Sequence, residues 1–175
     1  MIQLSTFMWG MVVLFALIGF VRGSTKEMIA LAGIVLAIFV LEQFRDMLLS
    51  PLVAGASLDQ QFYLYAGILI VIVVFAYETP ERFQNVQRSR GFREGFQEGL
   101  LGAAIGGFNA YLLFGSLWFY MDNLGYPLSP YVIAPPAGSS SAAMVNQLPL
   151  VWLLEGNLLT MMVVVLFLFV IIVLI

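Results

Sequence analysis

Residues 158–175 read LLTMMVVVLFLFVIIVLI, a run of eighteen residues with one hydroxyl group and no charged side chain. An α-helix rises about 1.5 Å per residue, so a helix of this length crosses most of a hydrocarbon core that is roughly 30 Å thick. The whole chain agrees, because 62% of its residues are hydrophobic and only 10% are charged, with a mean hydropathy of +1.00. A lipid bilayer is therefore the expected solvent of this protein.

Two residue types that carry much of protein chemistry are missing, because the 175-residue chain has no Cys and no His. Without Cys there is no disulfide, thiolate metal site or iron–sulfur cluster. Without His the chain lacks the usual axial ligand of haem and the usual general base. We therefore predict no catalytic residue, no metal site, no cofactor and no enzyme activity. Nucleic-acid binding is not expected either, because it needs a basic surface interleaved with aromatic residues.

Four further apolar segments precede the run at 158–175, at about residues 4–21, 28–41, 62–77 and 100–121. Together the five segments predict an all-α fold, a polytopic bundle of about five transmembrane helices. The segment at 28–41 is short enough that a re-entrant segment and a full span are both open. We divide the chain into a four-span helical region (residues 1–121), a Pro/Ser-rich extracytoplasmic loop (122–157) and a C-terminal transmembrane helix (158–175).

The basic residues are divided unequally between the two sides of this predicted bundle. With five spans, Arg45 lies on one side, and the other side holds six residues: Arg22, Lys26, Arg82, Arg88, Arg90 and Arg93. Because cytoplasmic loops are enriched in Lys and Arg, this split predicts an N-terminus outside and a C-terminus in the cytoplasm. Anionic lipid headgroups are the expected contacts of Arg22, Lys26, Arg88, Arg90 and Arg93.

The segment 122–157 contains five Pro residues, the run Gly138–Ser141, two acids and no basic residue. Pro and Gly at this density are expected to prevent a regular helix or strand. The short apolar stretch at 150–154 is expected to lie flat at the interface or to pack on a neighbour. A long loop without solvating charge is either draped over its own bundle or a docking surface, and the sequence leaves both open.

Small residues recur every four positions through the fourth apolar segment and the residues before it. One row consists of Gly91, Gly95, Gly99, Ala103 and Gly107, and a second contains Gly102, Gly106 and Ala110. Residues i and i+4 share a helix face, so each row forms a groove that has no large side chains. Such grooves let helices approach closely in lipid, and the rows predict helix packing inside the bundle or, alternatively, an oligomer seam.

Asn109 is the single amide deep in a predicted span, and no charged residue lies in the middle of one. One Asn is typical of a hydrogen bond between helices rather than of a substrate ligand. Intramembrane charge marks most transport pathways, so its scarcity favours a non-catalytic protein that acts by contact. We expect a scaffold, assembly factor or accessory subunit that binds other membrane proteins or its own copies. The alternative is a small oligomeric channel or transporter for an unidentified solute.

Residues 19–23, Gly-Phe-Val-Arg-Gly, and the stretch from Lys26 to Gly33 resemble the first hairpin of the colicin V production protein (CvpA) family. Residues 99–107 are similar to the Gly-rich start of that family's fourth span. The likeness covers about residues 5–121. It departs from the family at the start of the first span, where an Asp is usual and this chain has Ser5 and Thr6. The resemblance implies a multi-pass protein of the bacterial inner membrane, associated with toxin export or envelope maintenance and without known catalytic residues.

Overall fold

A computed structural model describes residues 3–78 and 92–174, and every regular element in these ranges is a helix. The α-helices are α1 (Leu4–Arg22), α2 (Ser24–Gln43), α3 (Ser50–Val53), α4 (Leu58–Tyr77), α5 (Phe92–Asn123), α6 (Ser140–Val145), α7 (Pro149–Leu153) and α8 (Leu158–Leu174). A π-helical turn, Arg45–Leu49, precedes α3, and a 3₁₀ turn, Glu155–Asn157, precedes α8. The predicted all-α class is confirmed.

Four of the described helices are long and apolar enough to cross a membrane, namely α1, α2, α4 and the part of α5 from Gly95 to Asn123. The apolar segment at 28–41, for which a re-entrant segment and a full span were both open, belongs to α2. This helix has 20 residues and is long enough for a full span. The stretch from Ser140 to Leu168 forms two helical arms bent by 51°, and it brings the number of spans to five if it counts as one broken span. By itself α8 has 17 residues, which extend about 25 Å.

The core of the bundle is built around α2, which packs against α4, α5 and α8. Ile34 and Ile38 of α2, Leu69 of α4 and Leu112 of α5 have no exposed surface. The helix α1 packs mainly on α5 and leaves its other face open, so that Val21 is 85% exposed. Apolar faces this broad are suited to contact with hydrocarbon or with another apolar surface, rather than with water.

Glycines bring α1 and α5 into close contact. A Cβ atom added to Gly19 would collide with the carbonyl oxygen of Gly102, and one added to Gly102 would collide with that of Gly19. A Cβ atom on Gly106 would lie 2.5 Å from the carbonyl oxygen of Phe15. The two backbones therefore touch where the sequence has no side chains, as packing between helices in lipid requires.

The remaining members of the two predicted rows have looser surroundings. A Cβ atom on Gly99 would lie 2.9 Å from a phenylalanine ring, and one on Gly107 would lie 3.5 Å from its nearest side-chain neighbours. Gly95 has open space around it, and Ala103 is half-buried. Gly91 lies outside the described residues.

The segment 122–157 is more helical than its composition predicts. The Ser139 hydroxyl accepts a hydrogen bond from the Ala142 amide at 3.1 Å and so caps α6. Pro149 begins α7, where its fixed φ and missing N–H are tolerated. The expectation that Pro and Gly prevent regular helix here is wrong for α6 and α7, because neither helix has a Pro or Gly in its interior.

The same segment packs on its own bundle rather than extending away from it. Leu148, Leu150 and Leu153 have no exposed surface, and α7 lies against α5, where Gly115 makes room for the Pro149 ring. The sequence leaves open whether this segment is draped over its own bundle or forms a docking surface. In the structure these residues are draped over the bundle. The stretch before α6 is more exposed, and Tyr131 there is 93% exposed.

Aromatic side chains fix this segment to α5. The Trp118 indole donates to the Tyr126 hydroxyl at 3.0 Å, and the Trp152 indole donates to the Tyr111 hydroxyl at 3.2 Å. Tyr111 in turn donates to the Gln147 carbonyl oxygen. Burial raises the pKa of Tyr126 to about 12, with the neighbouring Asp122 acting in the same direction and the Trp118 bond opposing it.

We expect Gly106→Leu to lower the free energy of unfolding in detergent by about 1–3 kcal/mol, the usual cost of overpacking. The new side chain has to displace the Phe15 backbone, which lies 2.5 Å from the added Cβ. Gly95→Leu is the matched control on the same helix, because that glycine has no neighbour within 4 Å. Thermal or denaturant unfolding of both variants measures the difference, and equal stability of the two would contradict the close contact.

Candidate functional site

Four helix ends meet at one end of the bundle. The helix α1 ends at Arg22, Gly23 turns the chain with a φ of 84°, which favours glycine, and α2 begins at Ser24. Arg22 donates from Nη2 to the Tyr77 carbonyl oxygen at the end of α4, at 2.9 Å. The Ser24 amide and hydroxyl both donate to Glu98 Oε1 of α5, at 3.1 and 2.7 Å. These bonds place the ends of α1 and α4 beside the starts of α2 and α5.

The centre of this polar cluster is Glu27, whose residue surface is 0% exposed. Its Oε1 atom accepts a hydrogen bond from Arg22 Nη1 at 3.0 Å. Its Oε2 atom accepts from the Tyr77 hydroxyl at 3.1 Å and from Asn109 Nδ2 at 2.9 Å. A buried carboxylate is tolerated when it is paired with a cation and hydrogen-bonded, and Glu27 has both.

Asn109 connects the middle of α5 to the first turn of α2. Besides the Glu27 carboxylate, its Nδ2 atom donates to the Glu27 carbonyl oxygen at 3.0 Å. The residue has no exposed surface, and its Oδ1 atom has no hydrogen-bond partner among the described residues. The Asn109 nitrogen therefore bridges two helices, whereas the Asn109 oxygen has no partner among the described residues.

Arg22 covers the open side of the cluster. Its guanidinium carbon lies 4.4 Å from the centre of the Tyr77 ring, a distance typical of a cation–π contact. The Arg22 side chain is 20% exposed and that of Glu27 is 1% exposed. The cation thus faces the end of the bundle while the carboxylate lies inside, and the pair has no net charge.

A second cluster, which also has an Arg–Glu pair beside a Tyr ring, lies at the opposite end of α2. Arg45 Nη2 is 3.1 Å from Glu42 Oε1, and the Arg45 guanidinium carbon is 5.9 Å from the centre of the Tyr65 ring. Tyr65 stacks on Tyr120 of α5 at 5.3 Å. Arg45 also begins the π-helical turn, an element that occurs frequently at functional sites.

The residues predicted to contact lipid headgroups are placed differently from one another. Arg22 binds Glu27 and Tyr77, whereas Lys26 is half-buried near the start of α2. Arg93 lies in the first turn of α5, and both Arg88 and Arg90 lie outside the described residues. Glu27 therefore connects Arg22 to Asn109 in the structure. The sequence assigns unrelated roles to Arg22 and Asn109.

Glu27 and Tyr77 are the residues that sequence reasoning missed. The apolar part of the second segment begins at Met28, so Glu27 resembles the solvated start of a helix. One signal in the sequence does point to Glu27. It follows Arg22 by five residues with Gly23 between them, so opposite charges lie on two adjoining helix ends. Among the described residues, no group of three acidic, His or Cys side chains is arranged to hold a metal ion.

No family model, curated protein or solved structure matches this chain. The likeness of residues 19–33 and 99–107 to the CvpA family accordingly stays a prediction.

The coupling between Arg22 and Glu27 can be measured with Arg22→Gln, Glu27→Gln and the double variant. We expect Arg22→Gln to cost about 3–5 kcal/mol, because it leaves a buried carboxylate without its counter-charge. Glu27→Gln should cost less, because the Arg22 side chain is 20% exposed and can be rehydrated.

In denaturant unfolding in detergent, the double variant should be more stable than Arg22→Gln alone. Strictly additive costs would mean that the two side chains are not coupled.

Proposed function

We propose that this chain is a non-catalytic protein of the bacterial inner membrane that acts through helix contacts, as a scaffold, assembly factor or accessory subunit of a larger membrane complex. The observation that carries the proposal is the closed cluster around Glu27. Both carboxylate oxygens accept hydrogen bonds from side chains of the same chain, those of Arg22, Tyr77 and Asn109. This buried carboxylate is therefore occupied by internal partners and holds helices together.

An apolar layer between the two polar clusters supports the same proposal. Glu27 and Glu42 are fifteen residues apart on α2, which corresponds to roughly 22 Å. Ile34 and Ile38 lie between them on α2 and join Leu69 and Leu112 in the core, all without exposed surface. An ion crossing between these four side chains would lose its hydration without finding an opposite charge. A bundle filled in this way is better suited to contact than to transport.

The surfaces that remain for a partner subunit are broad and apolar. Leu17 of α1 is 64% exposed, Phe75 of α4 is 75% exposed and Val165 of α8 is 63% exposed. In a bilayer such faces contact either acyl chains or the helices of neighbouring proteins, including further copies of the chain. The likeness to the CvpA family supports the inner membrane as the location.

A small oligomeric channel or transporter is the second candidate, and one observation favours it. Asn109 Oδ1 and Ser116 Oγ are buried without a hydrogen-bond partner among the described residues. Their spacing of seven residues places them on one face of α5. Buried polar atoms without partners require an explanation, and a solute path would provide one.

We also propose that the end of the bundle that holds Arg22 faces the cytoplasm, because Lys26 and the start of α5 with Arg93 lie at the same end. The Cys-free chain allows single cysteines at two exposed positions, Thr25→Cys and Tyr131→Cys. An impermeant thiol reagent added to intact cells should label position 131 only, and both positions should react after the cells are opened. Labelling of position 25 alone in intact cells would reverse the orientation.

The two candidate functions differ in what Asn109→Leu does. For a scaffold, reconstituted vesicles should show no flux of protons or monovalent ions above protein-free vesicles, with or without the substitution. The protein purified from its native membrane in mild detergent should carry other chains at constant stoichiometry. Leu112→Met is the matched control, because it conserves volume at a buried position of the same helix. Reproducible flux that changes with Asn109→Leu and not with Leu112→Met would overturn the scaffold proposal.

A further inference from the structure

The turn that joins α6 to α7 lies far from the end of α5. The Tyr111 hydroxyl donates to the Gln147 carbonyl oxygen, and Gly115 makes room for the Pro149 ring. Tyr111 lies twelve residues before the end of α5 at Asn123, which corresponds to about 18 Å along the helix. The chain therefore reaches into the length of the longest span at Gln147.

The packing of α1 on α5 gives an independent measure of this depth. A Cβ atom on Gly107 would lie 3.5 Å from the side chains of Val12 and Ala16, which flank the middle of α1. Tyr111 follows Gly107 by one helical turn, so it lies about 6 Å from the middle of α1. A hydrocarbon core of roughly 30 Å extends about 15 Å to each side of its middle. The Gln147 main chain, bonded to Tyr111, is therefore at the depth of the acyl chains.

The Gln147 side chain is exposed on the outside of the bundle at this depth. Its amide makes no hydrogen bond to another described residue. An acyl chain offers an amide neither a donor nor an acceptor, so contact with lipid would leave it unpaired at a cost in free energy. The outer face of α4 differs, because its exposed side chains Ile70, Val71 and Val74 are apolar and are suited to lipid.

The helix α1 exposes a long face that begins in the groove shared with Gln147. Gly10 lines this groove and has no neighbour within 4 Å, so the backbone of another helix can approach it. An exposed row with a spacing of four starts there and runs to the last turn of α1, and each member is more than half exposed: Trp9, Val13, Leu17 and Val21. This row is about 18 Å long, and rows with this spacing are those by which helices pack on each other.

We propose that this face binds α1 of a second copy of the chain, with the two helices crossing near Gly10 and the two Gln147 amides hydrogen-bonded to each other. An amide has both donors and an acceptor, so it complements itself, and a two-fold axis brings the same residue of both copies together. Water is a poorer occupant, because Gly10 and Val13 offer it no hydrogen-bonding side chain. The inference rests on the proposed function, of which it names one partner.

Disulfide cross-linking in the native membrane tests the contact, because the chain has no cysteine of its own. On oxidation, Gly10→Cys should give a dimer and Gly67→Cys should not. Gly67 is the matched control, because it lies on α4 and likewise has no neighbour within 4 Å. In vesicles that contain labelled copies, energy transfer should show that Gln147→Leu weakens the dimer roughly 3- to 20-fold, the effect of one hydrogen bond between helices in a membrane.

Thermal unfolding in detergent should be the same for Gln147→Leu and the parent, which separates lost association from lost folding. A monomer at every protein-to-lipid ratio would overturn the proposal, and so would a dimer that Gln147→Leu leaves unchanged. Labelling of Gln147→Cys by an impermeant thiol reagent in opened cells would assign the groove to water and overturn it as well.

The failure of this inference differs from a failure of the proposed function. A chain of another sequence that the parent retains and Gln147→Leu loses, without self-association, would give the face to another subunit. That result would overturn the second copy and leave the scaffold proposal standing. Flux that depends on Asn109 would instead overturn the scaffold proposal, whatever the dimer does.

Discussion

The burial of the Glu27 carboxylate is the constraint on which the arrangement of this bundle depends. An ionised carboxylate without solvent is stable only if cations and hydrogen-bond donors surround it. Here the donors come from three other helices, with Arg22 on α1, Tyr77 on α4 and Asn109 on α5. Moving one of these helices by one residue would shift its donor by about 1.5 Å and turn it by about 100°. The carboxylate therefore selects one register for four helices.

The glycine contact between α1 and α5 and the Glu27 cluster depend on each other. Lipid tails are as apolar as the helix surfaces, so helices in a bilayer associate through packing and hydrogen bonds rather than through hydrophobic exclusion. The touching backbones at Gly19, Gly102 and Gly106 set a short distance between α1 and α5. That distance lets Arg22, three residues after Gly19, share Glu27 with Asn109, three residues after Gly106. Side chains at these glycines would separate the donors from their common acceptor.

The sequence predicts those features that a single segment can display. Apolar length predicts about five spans, of which four are single long helices in the structure and the fifth depends on counting the bent stretch Ser140–Leu168 as one span. The repeat of four predicts the small faces of α5, because that pattern is complete within one helix. Gly19 could not be identified as the partner of Gly102, because the choice of neighbouring helix is not encoded in either segment alone. Glu27 is buried because four helices come together around it. The hydropathy of its own segment predicts instead that it lies at a solvated helix end. The Pro and Gly content of the whole segment does not predict α6 and α7, because the effect of these residues depends on their position relative to a helix start.

The cluster around Glu27 has a mechanical consequence for α2. Glu27 is fixed near one end of this helix by Arg22, and Glu42 near the other end pairs with Arg45, beside the stacked pair of Tyr65 and Tyr120. The pair of Glu42 and Arg45 is local to the end of α2 and moves with it, whereas sliding or tilting α2 would break the hydrogen bonds of Glu27 to Arg22, Tyr77 and Asn109 on the neighbouring helices. Transport by alternating access needs such relative movement of helices around a central site. A central helix that is bonded to three neighbours at its Glu27 end, and packed by buried apolar side chains along its length, opposes that movement. This agrees with the proposal that the bundle acts as a fixed surface for contacts.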